Sequence, residues 1–138
     1  MINKFADDYS FLSNYYPCIV VYNGYTFQSS EAAYQAQKDP SRIDEFINLD
    51  ADDSKHLARK VMLRPDWEDV KVPIMEEIVR AKFTQNKDLA EKLLATGEEE
   101  LIEGNYWRDR FWGVYEGEGQ NHLGKILMQI RDEIRSNQ

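Results

Sequence analysis

The chain has 138 residues, 42% of them hydrophobic and 12% aromatic, with a formal net charge of −8. That is enough apolar material for a core of ordinary domain size, which excludes a disordered chain. The acidic balance speaks against a broad nonspecific nucleic-acid surface, which needs an excess of Lys and Arg to neutralise phosphates, but it leaves room for a local basic pocket.

Cys18 is the only cysteine, so no intrachain disulfide or cysteine metal cluster is expected, and His56 and His122 are too few for a histidine metal site. The reading is therefore no metal and no cofactor. The first twenty residues carry Asp7 and Asp8 and lack a basic stretch followed by an apolar one, and nowhere do eighteen apolar residues run together. A cytoplasmic location with no membrane association is expected. No repeat, low-complexity tract or linker interrupts residues 1–138, which predicts a single domain.

In chain order, Phe5 and an acidic turn lead to Phe11-Leu12-Ser13-Asn14-Tyr15-Tyr16-Pro17, an aromatic loop whose one amide side chain is Asn14. Ile19-Val20-Val21-Tyr22, Asn23-Gly24 and Tyr25-Thr26-Phe27 predict a β-hairpin, because Asn-Gly accepts the positive φ angles of a two-residue turn. Ser29 to Lys38 reads as a helix capped by Ser29 or Ser30. Glu31, Tyr34, Gln35 and Lys38 recur at i, i+3, i+4 and i+7 and so share one face, while Ala32, Ala33 and Ala36 form a packing side. Glu31 and Lys38 would stand roughly 10 Å apart along this helix, a gap suited to a small polar substrate.

Asp39-Pro40 predicts a short helix through Ile43, Phe46 and Ile47. Asp52 or Asp53 is expected to cap another, with Leu57, Val61 and Met62 buried. After Arg64-Pro65-Asp66 a longer helix carries Trp67, Val70, Ile74, Ile78 and Ala81 inward, widened by Met75, Val79 and Phe83, with Pro73 kinking it or marking its start. Asn86 is expected to cap Lys87–Ala95, Gly97 to end it in a left-handed conformation, and Leu101-Ile102-Glu103 to form a strand.

From Gly104 to Gly113, aromatic rings alternate with Arg108, Asp109 and Arg110 without helical or strand period, the pattern of a binding loop. Asn121 is expected to cap a last helix with Leu123, Ile126, Leu127, Ile130 and Ile134 inward. The fold class is thus mostly α (α+β), with an amino-terminal hairpin and a few short strands.

Several of these pieces, in order, resemble the NADAR, or YbiA-like, family of N-glycosidases. They are Phe11 to Pro17, Ser30-Glu31-Ala32-Ala33-Tyr34-Gln35-Ala36-Gln37-Lys38, Arg64-Pro65-Asp66-Trp67, Met75 to Phe83, Leu93 to Gly97, Leu101 to Glu103, Phe111-Trp112-Gly113 and Asn121 to Lys125. The resemblance implies cleavage of the bond between a base nitrogen and ribose C1, either in phosphorylated ribosylaminopyrimidines of riboflavin synthesis or in ADP-ribosylated guanine of nucleic acid. It makes Glu31 and Lys38 the catalytic candidates and associates Trp67, Glu103, Asp109 and Trp112 with the active site. Asn14 lies in a matching motif, and Tyr34 joins the substrate-binding residues through its place on the Glu31 face. The substrate is the one partner expected; no obligate protein partner is evident.

The chemistry suits these residue types. Breaking an N-ribosyl bond builds positive charge at the anomeric carbon, which a carboxylate such as Glu31 stabilises. The leaving base needs a proton, from Asp109 or Glu103. The resemblance further suggests a Schiff base between Lys38 and the opened ribose, which requires a lowered amine pKa. Trp67 and Trp112 offer flat surface to a base, and Arg108 or Arg110 a fork for phosphate. The alternative is a module that binds ADP-ribose or a nucleotide without cleaving it; it would need the tryptophans and have no use for Glu31 and Lys38 together.

Overall fold

The computed structural model describes residues 1–138 and is mostly helical, with two two-stranded sheets. The chain gathers into two compact units, one of Asn14–Asn86 and one of Met1–Ser13 with Lys87–Gln138.

In the unit Asn14–Asn86, β1 (Val20–Tyr22) and β2 (Tyr25–Phe27) form the expected antiparallel hairpin, Val20 opposite Phe27 and Tyr22 opposite Tyr25. Asn23 and Gly24 take φ of 50° and 85°, as the two-residue turn that follows strand twist requires. Ser29 caps α1 (Ser30–Ala36), its Oγ accepting the Ala32 N–H at 3.0 Å.

Two expectations for α1 are corrected. The helix stops before Lys38: the N–H groups of Gln37 and Lys38 bond the carbonyls of Tyr34 and Gln35, three residues back, in a 3-10 closure. Pro40 disfavours helical backbone at Asp39, and the Lys38 carbonyl is claimed by the Arg64 N–H at 2.8 Å. Nor is one face left open, for all seven residues of α1 are buried. The helices α2 (Ala51–Ala58) and α3 (Trp67–Gln85) both pack on it.

Asp39 opens a 3-10 segment, Pro40–Phe46, as Asp-Pro predicts, with its carboxylate accepting the Ser41 N–H. The cap of α2 is Asp50, not Asp52 or Asp53; its Oδ1 accepts the Asp53 N–H at 2.8 Å, leaving Asp52 and Asp53 in the first turn, where the helix dipole favours negative charge. The residues α2 buries are Ala51 and Ser54. It ends before Val61, and Met62 is 83% exposed.

α3 runs unbroken through Pro73, which therefore does not mark its start. A proline there forfeits only the bond to the Asp69 carbonyl, and Asp69 lies on the exposed side, where water can replace it. The buried stripe is Trp67, Met75, Ile78, Val79, Phe83 and, against the pattern, Lys82. Val70, Ile74 and Ala81 are only partly covered. Asn86 closes α3, its side-chain amide donating to the carbonyls of Lys82 and Ile19, both at 2.9 Å, and α4 begins at the next residue.

In the other unit, a 3-10 turn (Asp7–Leu12) buries Phe11 and Leu12. α4 (Lys87–Ala95) packs its buried Leu89 and Leu93 against α5 (His122–Ser136), and Gly97 takes the expected left-handed φ of 65°. Leu101 makes a single parallel bridge to Ile2 instead of a strand over Leu101-Ile102-Glu103. The short strands are β3 (Gly104–Asn105) and β4 (Val114–Tyr115), paired in parallel. Asn121 stands at the α5 start with φ 52° and does not cap it. Its side chain instead accepts the Glu103 N–H and donates to the Leu101 carbonyl, both at 2.9 Å. Leu123, Ile126, Leu127 and Ile130 face inward as expected, Ile134 only partly.

Candidate active site

The amino end of α1 is anchored by the loop before it. The Asn14 carbonyl accepts the Glu31 N–H at 3.0 Å, and Asn14 Oδ1 accepts the Ser30 hydroxyl at 2.8 Å. One of the N–H groups that a helix start leaves unpaired is thereby satisfied. The Asn14 side chain, expected to touch substrate, is buried, and its amide also contacts Met75 Sδ at 3.4 Å. Its evident work is to set the first turn of α1.

Glu31 is buried in that turn, and one carboxylate oxygen, Oε2, accepts the Gln35 Nε2–H at 2.7 Å. Beyond the helix, Lys38 follows in the 3-10 closure. Its Nζ lies 5.9 Å from the Tyr34 ring centre and 5.8 Å from that of Trp67, and those rings pack on each other at 5.1 Å. Aromatic faces attract the ammonium form, so the rings hold Lys38 in place as well as shielding it from water.

Burial pushes the Lys38 amine below its ordinary pKa; the Glu31 charge pulls it back up, and the charges of Lys55, Lys71 and Arg59 push it further down. Desolvation and neighbouring cations are the two influences that make a lysine nucleophilic. Tyr15 belongs to the same neighbourhood: its phenol is pushed up to about 12 by burial and by the Glu31 charge. Four of the expected residues, Glu31, Tyr34, Lys38 and Trp67, are thus brought together around α1.

The other expected residues lie between Glu103 and His122. Asn105 organises them. Its Nδ2 donates to Glu103 Oε2 at 3.0 Å and to the Asp109 carbonyl at 2.9 Å, and its Oδ1 accepts the Asp109 N–H at 3.0 Å. Asp109 Oδ1 in turn accepts the N–H groups of Phe111 and Trp112 at 2.9 and 2.8 Å. Glu103 is buried, and Gly113 passes so close that a Cβ there would fall 1.6 Å from Glu103 Oε2.

Trp112 is half-buried, edge-on to Phe111 at 4.9 Å, and Phe111 lies 4.5 Å from the His122 ring. Arg110 is spent within its own loop: its guanidinium covers Tyr115 at 4.9 Å and approaches Glu118 at 3.9 Å. Arg108 is exposed with φ 69°.

Sequence reasoning passed over three residues. Gln35 was one amide on a helical face, yet it contacts the key carboxylate. Asn105 had no pattern to flag it, because loop hydrogen bonds follow no period. Lys82 falls at a spacing that α3 devotes to its core, and lysines are so rarely buried that periodicity discounts them.

Against known proteins, the model of the NADAR domain matches residues 2–135. The chain is 43% identical over 136 residues to a riboflavin biosynthesis protein of Vibrio vulnificus, covering 94% of this chain and 36% of that protein. It is 51% identical over 75 residues to an N-glycosidase of Nostoc punctiforme, covering 54% of this chain and 47% of that one. It thus spans about a third of the first relative and under half of the second. Against the N-glycosidase YbiA of Escherichia coli it is 35% identical over 138 residues, covering 94% of this chain and 84% of that one. The NMR structure of Escherichia coli YbiA superposes with a TM-score of 0.85 at 32% identity, over 99% of this chain and 88% of that one.

Proposed function

The chain belongs to the NADAR domain family, and on that premise we propose that it is an N-glycosidase, a hydrolase of the bond between a base nitrogen and ribose C1. The observation that carries the reading is the pairing at α1 of a buried carboxylate, Glu31, with an amine, Lys38, whose pKa burial and nearby cations lower. A module that merely binds nucleotides has no use for a desolvated lysine beside a glutamate.

The steps follow from those groups. Glu31, as carboxylate, stabilises the positive charge that builds at C1 as the C1–N bond lengthens. The neutral Lys38 amine attacks C1 of the ring-opened riboside, the C1–N bond breaks with departure of the base, and an imine links the sugar to Nζ; addition of water then returns the sugar and the free amine. The departing base takes a proton.

The substrate is a phosphorylated ribosylaminopyrimidine, in keeping with the name of the Vibrio relative, or an ADP-ribosylated guanine. A net charge of −8 favours the small metabolite over a long polyanion. Both are tested together by mass spectrometry of base release from a ribosylaminopyrimidine 5′-phosphate and from an oligonucleotide bearing ADP-ribosyl-guanine, with borohydride in a parallel sample. The expected result is free base from one of them and a reduced sugar adduct on Lys38. Binding of either compound with no base release would establish the non-cleaving module instead.

A further inference from the structure

The Gln35 amide is the group at α1 to which nothing so far assigns a task. It is buried, its Nε2 donates to Glu31 Oε2 at 2.7 Å, and its own Oε1 is a buried acceptor without a hydrogen-bond partner. A buried amide oxygen left unpaired is unfavourable, and native cores contain few of them. The reason here is chemical. An ionised carboxylate only accepts, so the amide must turn its nitrogen towards Glu31, and its oxygen is then directed wherever the geometry leaves it. The orientation serves Glu31 at the expense of Gln35.

We propose that Gln35 is a positioning residue of the reaction, holding the Glu31 carboxylate ionised and in one orientation. The i, i+4 spacing makes the device local to α1, with no loop to order first. The role rests on the N-glycosidase reading and adds a residue to it.

A residue kept for packing and one kept for its donor predict different results. Gln35→Met preserves length and volume and removes both the donor and the unpaired oxygen. It is expected to lower kcat for base release about tenfold or more, to leave KM within about twofold, and to melt no lower than the parent. Gln35→Glu is the second arm. At neutral pH the new carboxylate cannot donate, and its turnover should fall at least as far; as pH is lowered, a proton shared between the two carboxyls restores a donor at position 35, so its rate relative to the parent should rise. The charged and titratable groups shown facing Glu31, the Tyr15 phenol and the Lys38 amine, are common to both proteins, so the ratio isolates position 35.

Unchanged kcat in a folded Gln35→Met protein overturns the role, and so does a loss of kcat that merely follows a loss of thermal stability with no acid recovery in Gln35→Glu. A parent protein inert on both substrates is a different failure. It removes the activity itself, and this role with it.

Discussion

Two buried glutamates in this chain are held in the same way and mean different things. Glu31 and Glu103 each have Oε2 accepting from a carboxamide, Gln35 in one case and Asn105 in the other. Around Glu31 the backbone is helical and satisfies its own hydrogen bonds, so Gln35 has nothing else to do and one of its atoms is left unpaired. Around Glu103 the chain is irregular, and Asn105 must also tie both main-chain groups of Asp109. A helix frees a polar side chain for chemistry, whereas a loop recruits it for structure. The same contact is expected to respond differently to substitution in the two places.

The largest expected effect is catalytic and confined to the α1 side. Lys38→Ala and Glu31→Gln should each lower base release by about 10²-fold or more in proteins that remain folded by circular dichroism. Retained turnover in both would strip α1 of the function claimed for it.

On the other side, the strongest effect should be structural. Gly113→Ala forces a methyl to within 1.6 Å of Glu103 Oε2 and 2.1 Å of the Glu103 carbonyl oxygen. The backbone itself must shift, at a cost of more than about 3 kcal/mol. Denaturant melts should register this as a markedly lower midpoint; a midpoint near the parent value would mean that the loop is not tightly built around Glu103.

Asn105→Ala comes next. It leaves Asp109 main-chain groups without partners and should lower stability by about 2 kcal/mol. Set beside Gln35→Met, for which no loss is expected, it is the direct check of the contrast between loop and helix. Equal losses in the two would erase it.

The last expected effect is a pH slope, and it separates two lysines of the α1 unit. Lys82 is fully buried beside the Phe83 and Tyr16 rings, and burial brings its pKa down from 10.5 to about 8. Between those values the unfolded chain holds a proton that the folded one has released, so unfolding takes up a proton and stability rises with pH. The rise begins near pH 8 and ends near 10.5. Its slope approaches about 1.4 kcal/mol per pH unit at most. The difference in unfolding free energy between the parent and Lys82→Met, followed from pH 7.5 to 10.5, should show it. A flat difference would mean that Lys82 keeps its charge in the fold, leaving Lys38 as the one lysine whose environment favours the amine.

Much of this architecture was legible because it rests on local rules. Asn23-Gly24 announced the hairpin through the φ angles those residues tolerate, Ser29 announced the start of α1 through a cap within its own turn, and Gly97 announced the end of α4. The errors fall where a distant partner outbids a local preference. Lys38 reads as helical by spacing but sits in a 3-10 turn, with Arg64 holding its carbonyl. Asn121 reads as a cap, but Glu103 and Leu101 claim its amide. Leu101 to Glu103 reads as a strand, yet the pairing moves one step on, to Gly104 and Asn105, where Val114 and Tyr115 lie alongside.

What the sequence by itself determined is therefore the hairpin and the main helices, the family, and which residue types could supply a carboxylate and an amine. Backbone conformation and capping depend on residues within about a turn of each other, and such information survives in a linear pattern. What only the tertiary structure decided is which polar groups are buried and to whom they are bonded: Gln35 to Glu31, Asn105 to Glu103 and Asp109, Lys38 against Tyr34 and Trp67, Lys82 in the core. Burial and charge proximity set the energies of those groups, and both are properties of packing, which brings together residues that sequence spacing keeps apart.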